Sequence, residues 1–460
     1  MCRMFVSTSK NFFSVASVIA LPALLALSPP AHAQPAPARI AEILIPEVAE
    51  EVPSDNAKGA ILDVYQESVN RHEWKGPRST QVLSVQSFVV PEGTAVQVVF
   101  GETSLGEDGS ILISSVSSAK ENGRMQNQLM TQRDLENYGG ATAYFPSGKI
   151  IIALLSGGGG PPKAKVQSLR VLQSGDDNQQ HANIRAFRLP APQSKEAFRS
   201  APEEAAPTGE ALTAQPETMC GPDNRIASSD QRIGRLMPIG CTGWLVGSSG
   251  DLALTAGHCD DVRMQIIEFQ VPASLPDGRT LPADVEDQYP ILRQTIVSRN
   301  DGVGRDWAIF RIGPNSNTGL TPGNRQGSGF MLSRKQRPTK VRVTGFGVDD
   351  APQGTDHLNL FRNVQNQTQQ SENGLDDAQA VFHDDGENDS FRYKVDTRGG
   401  NSGSPVINEE PGGGGTAIAI HTHGGCESAI QGNQGTALSN PDFISALLNF
   451  VPLASDVFVD

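Results

Sequence analysis

The chain has 460 residues, more than one ordinary core accommodates, so two domains and a connector are expected. Only 19% of residues are charged, and 47 Gly and 31 Pro favour short strands and many turns over long helices. The formal net charge of −14, with no basic cluster to offset it, argues against a nucleic-acid partner.

The first residues have the layout of a secretory leader. Arg3 and Lys10 supply positive charge, Phe12 to Leu27 an apolar run, and Ala31-His32-Ala33 a small-x-small cleavage site. The leader therefore covers residues 1–33, and the mature chain begins near Gln34. A membrane anchor needs a longer apolar stretch, and no later segment is apolar enough to span a bilayer as a helix. The expectation is a secreted or periplasmic protein with no membrane contact after leader removal. Of five cysteines Cys2 leaves with the leader, so Cys220, Cys241, Cys259 and Cys426 remain. An even number in an oxidising compartment suggests two disulfides, with three pairings open. No C-x-x-C spacing is present, so neither a metal site nor a cofactor is expected.

Residues 34–188 read as β-rich. After one short helix near Asn56 to Asn70, β-branched runs occur at Gln81 to Val90, Ala95 to Phe100, Ile111 to Val116, Ile150 to Leu155 and Val166 to Leu172. Strands at such intervals without amphipathic helices between them suggest a β-sandwich of jelly-roll type. Gly157 to Pro162 is a turn, lacking the lysine and the strand–helix context of a phosphate cradle. Such a domain fits an accessory module, a pro-domain or an adhesion module. Residues 189–219, rich in Ala, Pro and Glu, cannot bury enough surface to order themselves and read as a connector.

Residues 220–460 carry the chemistry. Gly240 to Gly247 and Leu252 to Cys259 read as two strands joined by a turn at Ser248 to Asp251. That hairpin brings Cys241 towards Cys259, holds His258 at a strand end, and leaves Cys220 and Cys426 for the second bond. Asp306 opens an apolar strand, Asp306-Trp307-Ala308-Ile309-Phe310. Downstream, Asp396-Thr397-Arg398-Gly399-Gly400-Asn401-Ser402-Gly403-Ser404-Pro405 sets one serine between glycines that cannot block a substrate. The Ser402 hydroxyl would attack a carbonyl, and the amides of Gly400 and Ser402 would face the oxyanion.

These segments resemble the chymotrypsin-like serine proteases. The Cys241…TAGHC hairpin is similar to the family's histidine segment, Asp306-Trp307-Ala308 to its aspartate segment, and Val341-Arg342-Val343-Thr344-Gly345-Phe346-Gly347 to a core strand. The order His258, Asp306, Ser402 is the family's own, unlike that of subtilisins or α/β-hydrolases. The resemblance covers residues 225 to 455. It implies an all-β, two-barrel fold with a C-terminal helix (here Asp442 to Phe450), a Ser-His-Asp triad and protein or peptide substrates. A monomer is expected. The competing reading, a binding or adhesion protein worked by the first half, sits uneasily beside three intact motifs.

Specificity stays open between two readings. Ile420-His421-Thr422-His423-Gly424-Gly425 and the Gly-Asn-Ser-Gly-Ser-Pro string resemble bacterial glutamyl endopeptidases. In that branch the residues matching His421 and Thr397 bind an acidic side chain, and backbone around Thr422 to Gly424 would hold the substrate strand. Against this, Asp396 lies six residues before Ser402 (402 − 396 = 6), where trypsin-like members bind Lys or Arg. His423 reads as a surface turn residue. Asn401 stands where trypsins carry the aspartate that receives the new N-terminal ammonium, so activation by that salt bridge is not expected.

Overall fold

The computed structural model describes residues 39–44, 55–71, 76, 78–117, 125–173, 219–274, 281–349, 364–371, 380–384, 389–426 and 432–460. The leader over 1–33, and all but Met219 of the connector over 189–219, lie outside them. Among the described residues no helix is long and apolar enough to cross a membrane.

The first half comprises β1 (Arg39–Leu44), α1 (Asp55–Arg71), β2 (Gln81–Ser104), β3 (Gly109–Ser117), β4 (Met125–Met130), α2 (Gln132–Asn137), β5 (Phe145–Ser156) and β6 (Lys163–Gln173). The strands pair antiparallel in the order β1-β6-β2-β5-β3-β4. The runs expected as separate strands at Gln81 to Val90 and Ala95 to Phe100 belong to one strand. β2 pairs first with β5 and then with β6, so the sheet is continuous through it. Its register shifts between Val90 and Ala95, a stretch that includes Pro91, which has no amide for a ladder.

Side chains alternate between the two faces, as the pleat requires. Ile111, Ile113, Ile150, Ile152 and Leu154 enter one core with Val96, Val98 and Phe100. Leu112, Ala153 and Leu155 enter the other, where Tyr65 and Val69, one turn apart on α1, cover them. β4 (Met-Gln-Asn-Gln-Leu-Met) did not read as a strand because polar side chains interrupt its apolar ones. Gln128 is nevertheless fully buried, its carbonyl oxygen accepting from the Ala143 amide at 2.9 Å. Tertiary hydrogen bonds replace hydrophobic alternation there.

The second half forms two antiparallel β-barrels. The first contains β8 (Ile233–Met237), β9 (Thr242–Leu245), β10 (Leu252–Thr255), β11 (Ile266–Glu268), β12 (Gln288–Pro290), β13 (Val297–Asn300) and β14 (Asp306–Arg311), in the order β12-β11-β8-β9-β10-β14-β13. A bridge between Ile291 and Ile312 links the ends of β12 and β14. The second contains β7 (Ile226–Ala227), β15 (Val341–Gly345), β18 (Thr368–Ser371), β19 (Val381–His383), β20 (Ser390–Tyr393), β21 (Pro405–Asn408), β22 (Ala417–His423) and β23 (Asn433–Ala437). A short ribbon of β16 (Val348–Asp349) and β17 (Val364–Gln365) stands beside it, and α3 (Pro322–Gln326) lies between the barrels in sequence.

Leu236, Leu245, Phe269 and Phe310 fill the first barrel, and Val343, Phe391, Val406 and Ile418 the second. A third cluster joins the barrels: Trp244, Leu254 and Trp307 meet Ile420, Leu438, and Phe443 and Leu447 of α4 (Pro441–Leu447). α4 begins at Pro441, where the missing amide costs nothing, and Asn440 caps it by accepting the Phe443 amide at 3.0 Å. The functional side chains converge where the barrels meet.

Candidate active site

His258 sits in a 3-10 turn, Gly257–Cys259, directly after β10 rather than on the strand itself. The turn lies so close to β13 that a Cβ on Gly257 would stand 1.8 Å from the Arg299 carbonyl oxygen, so only glycine fits there. Cys259 is bonded to Cys241, with Cα atoms 6.3 Å apart, which ties the turn back to β9. Cys220 and Cys426 form the other pair, Cα atoms 5.0 Å apart. Cys241, His258 and Cys259 cluster closely enough to suggest metal ligands, but the two sulfurs are spent on each other.

Asp306, the first residue of β14, is fully buried. Its Oδ1 accepts the His258 amide at 2.9 Å and its Oδ2 lies 2.6 Å from His258 Nδ1. Thr436 on β23 holds its backbone, accepting from the Asp306 amide at 3.1 Å and donating to the Asp306 carbonyl at 2.9 Å. On the opposite side of the imidazole, Nε2 is 2.7 Å from Ser402 Oγ. One ring therefore bridges a buried carboxylate and a hydroxyl, spanning both barrels. That arrangement can turn a serine into a nucleophile.

The loop bearing Ser402 is fixed by its carbonyls. Those of Gly400 and Ser402 accept from Thr242 Oγ1 at 2.8 Å and the Thr242 amide at 2.9 Å. Those of Gly399 and Asn401 accept from the amides of Val348 and Ser404, both at 2.8 Å. In a trans peptide the amide points away from the carbonyl, so the N–H groups of Gly400 and Ser402 are directed away from these inner contacts. Gly400 has φ +102°, and a Cβ there would approach the Phe346 carbonyl oxygen to 2.5 Å.

Residues 241–420 match the trypsin-like peptidase domain family. The chain carries a trypsin-like peptidase domain over those residues. No curated protein matches the chain. Among solved structures, a Glu endopeptidase in complex with MPD is similar at 17% identity, covering 51% of this chain and 98% of its own, with a TM-score of 0.36. The protease Anisep from Arthrobacter nicotinovorans is similar at 16% identity, over 49% of this chain and 98% of its own, with a TM-score of 0.34. A thermostable serine protease, AL20, from an extremophilic microorganism is similar at 14% identity, over 48% and 96%, with a TM-score of 0.33.

In this peptidase domain the residues expected to line the primary pocket have distinct surroundings. His421 is fully buried on β22, and its Nδ1 is 2.7 Å from the Tyr393 hydroxyl of β20. Thr397, also fully buried, accepts from Asn433 Nδ2 at 2.8 Å. Asp396 is not an open carboxylate. Its Oδ1 accepts the Cys220 amide at 2.7 Å, and its Oδ2 the Asn224 amide at 2.9 Å and Gln370 Nε2 at 2.7 Å. Thr422 is buried, with its Oγ1 2.8 Å from His423 Nδ1, and Gly424 is buried next to it. Asn401, only 3% exposed, makes local contacts within its turn.

His423 differs from expectation. It is 8% exposed rather than a surface residue, on a strand buried along its whole length, whose register shifts between His421 and His423. Its Nδ1 lies 4.0 Å from Asp306 Oδ2, and its ring packs edge-on to His258 with centroids 6.4 Å apart. Tyr393, Thr436 and Gln370 also serve the site, and no local motif marks them, since each acts through a pairing made only in the fold.

Proposed function

We propose that the peptidase domain works through His258, Asp306 and Ser402 and prefers an acidic residue before the scissile bond. The observation that carries the first part is the bridging imidazole, 2.6 Å from Asp306 Oδ2 and 2.7 Å from Ser402 Oγ. Asp306 holds Nδ1 as the donor, so Nε2 presents its lone pair to the Ser402 hydroxyl. As Ser402 Oγ bonds to the substrate carbonyl carbon, Nε2 takes its proton and the carbonyl oxygen gains negative charge. The amides of Gly400 and Ser402 stabilise that oxyanion. Collapse breaks the C–N bond, and the imidazolium gives its proton to the leaving amine. Water, deprotonated by His258, then releases the acyl group and regenerates Ser402.

The acidic preference rests on two features. Tyr393 can donate to His421 Nδ1, which leaves the proton on Nε2 and makes that atom a donor for a substrate carboxylate. Asp396, the residue that would attract Lys or Arg, already accepts three hydrogen bonds from the chain itself. With both oxygens occupied by those donors, it has little room left for a cation. Export is supported by the leader over 1–33 and by two disulfides, which persist in oxidising compartments.

A fluorophosphonate should label the purified protein at Ser402, and unlabelled Ser402 in folded protein would sink the triad. Peptides differing only in Glu, Lys or Phe before the scissile bond should rank Glu first by kcat/KM. Lys in first place would overturn the acidic preference and leave the triad standing.

A further inference from the structure

The chain places its first-half sheet against the first barrel through contacts that neither half satisfies alone. Gln288 of β12, fully buried, accepts the Tyr144 amide on Oε1 and donates from Nε2 to the Tyr144 carbonyl, both at 2.7 Å. A carboxamide that exchanges two hydrogen bonds with one residue's main chain reproduces a rung of a β-ladder. Asn317 pairs with two residues of β4, accepting the Leu129 amide at 2.8 Å and donating to the Asn127 carbonyl at 2.7 Å, either side of Gln128. Tyr138 donates to the Gln288 carbonyl at 3.0 Å, and Gln128 to Ser316 Oγ at 3.0 Å. Burial pushes the Tyr138 and Tyr144 hydroxyls well above their usual pKa, in keeping with a seam closed to water. Met237, Ile266 and Val285 of the barrel share one apolar core with the sheet.

The seam lies away from the cleft. Asp306 opens β14, whereas Ser316 and Asn317 follow its far end, and six extended residues span roughly 20 Å. Gln288 is on β12, and Ile291, just after that strand, bridges Ile312 at the same far end of β14.

We infer that the first-half sheet is a permanent subunit of the peptidase, seated on the β11–β12 face of the first barrel, and that it stays there when the chain is cut between residues 174 and 218. It neither plugs the cleft nor leaves on processing. Separation would expose the shared apolar core and strip both carboxamides of their buried partners, whereas the intact seam pairs each of them.

The test uses the full chain with Ser402→Ala, which prevents self-digestion and makes the readout independent of the catalytic proposal. A site-specific protease sequence is inserted in 189–217, cleavage is followed on a denaturing gel, and the nicked protein is passed over a sizing column. The two fragments should co-elute at one-to-one stoichiometry. A fragment ending near residue 188 that elutes apart from the peptidase domain overturns the inference, as does a chain cut to completion that loses its first half on dilution. Gln288→Ala with Asn317→Ala should weaken the association of the nicked fragments by ~10-fold or more. Unchanged association in that variant would overturn the assigned face.

Discussion

The backbone amide of Cys220 donates to Asp396 Oδ1 at 2.7 Å across 176 residues of sequence. The same carboxylate takes the Asn224 amide, so the start of the catalytic half is strapped to the irregular segment that follows β20, beside Thr397. Removing the acceptor strands two backbone amides and the Gln370 side chain. Asp396→Ala should cost roughly 2–4 kcal/mol of stability, read by urea unfolding. The ratio of Glu to Lys cleavage should not rise if, as proposed, this carboxylate takes no part in selecting substrate. A variant that gained Glu preference would show that Asp396 had been serving Lys or Arg.

Tyr393→Phe removes the donor that orients His421 and leaves its volume almost unchanged. For a Glu-containing peptide kcat/KM should fall by about tenfold, with most of the loss in KM. For a Phe-containing peptide the change should be small. Equal losses on both peptides would point to general damage rather than to specificity.

Ser402→Ala and His258→Ala should each lower kcat by roughly 10⁶-fold. Asp306→Asn should lower it by roughly 10⁴-fold, since an amide cannot hold the imidazole in the required tautomer. The double variant of Ser402 and His258 should be no worse than either alone, because the residues act as one device. Additive losses, measured in single turnovers, would contradict that.

Gly400→Ala sets a Cβ where φ is +102° and the Phe346 carbonyl oxygen is 2.5 Å away. The strain should displace the adjoining amide and lower kcat by about 10²-fold or more, with KM nearly unchanged. A KM effect alone would place the damage in binding.

Replacing Cys241 and Cys259 together by serine opens an 18-residue link. Stability should fall by about 3 kcal/mol, judged by denaturant midpoint. Because the same link braces the His258 turn against β9, kcat should fall as well. Unaltered kcat in the folded variant would mean the turn is held by the barrel alone.

Much of the catalytic half was legible from local sequence. TAGHC, Asp306-Trp307-Ala308 and the glycine-flanked Ser402 each need particular residues at fixed neighbours, and such needs leave a mark in the string. The first half was legible only as β-rich, because β2 passes as two strands and β4 carries its burial on amides.

What the sequence determined by itself was the set of candidate reacting groups, their order along the chain, and the strand-forming runs that carry them. These follow from side-chain chemistry and from apolar periodicity, both local properties. Tertiary structure alone decided that Asp396 is occupied by Cys220 and Asn224, that His423 turns inward to Asp306, and that Gln288 joins the two halves. Each depends on hydrogen bonds between residues far apart in the chain, where burial makes an unpaired polar group costly and so fixes its partner. That partner is chosen by the fold, and only the fold brings His258 Nε2 within 2.7 Å of Ser402 Oγ.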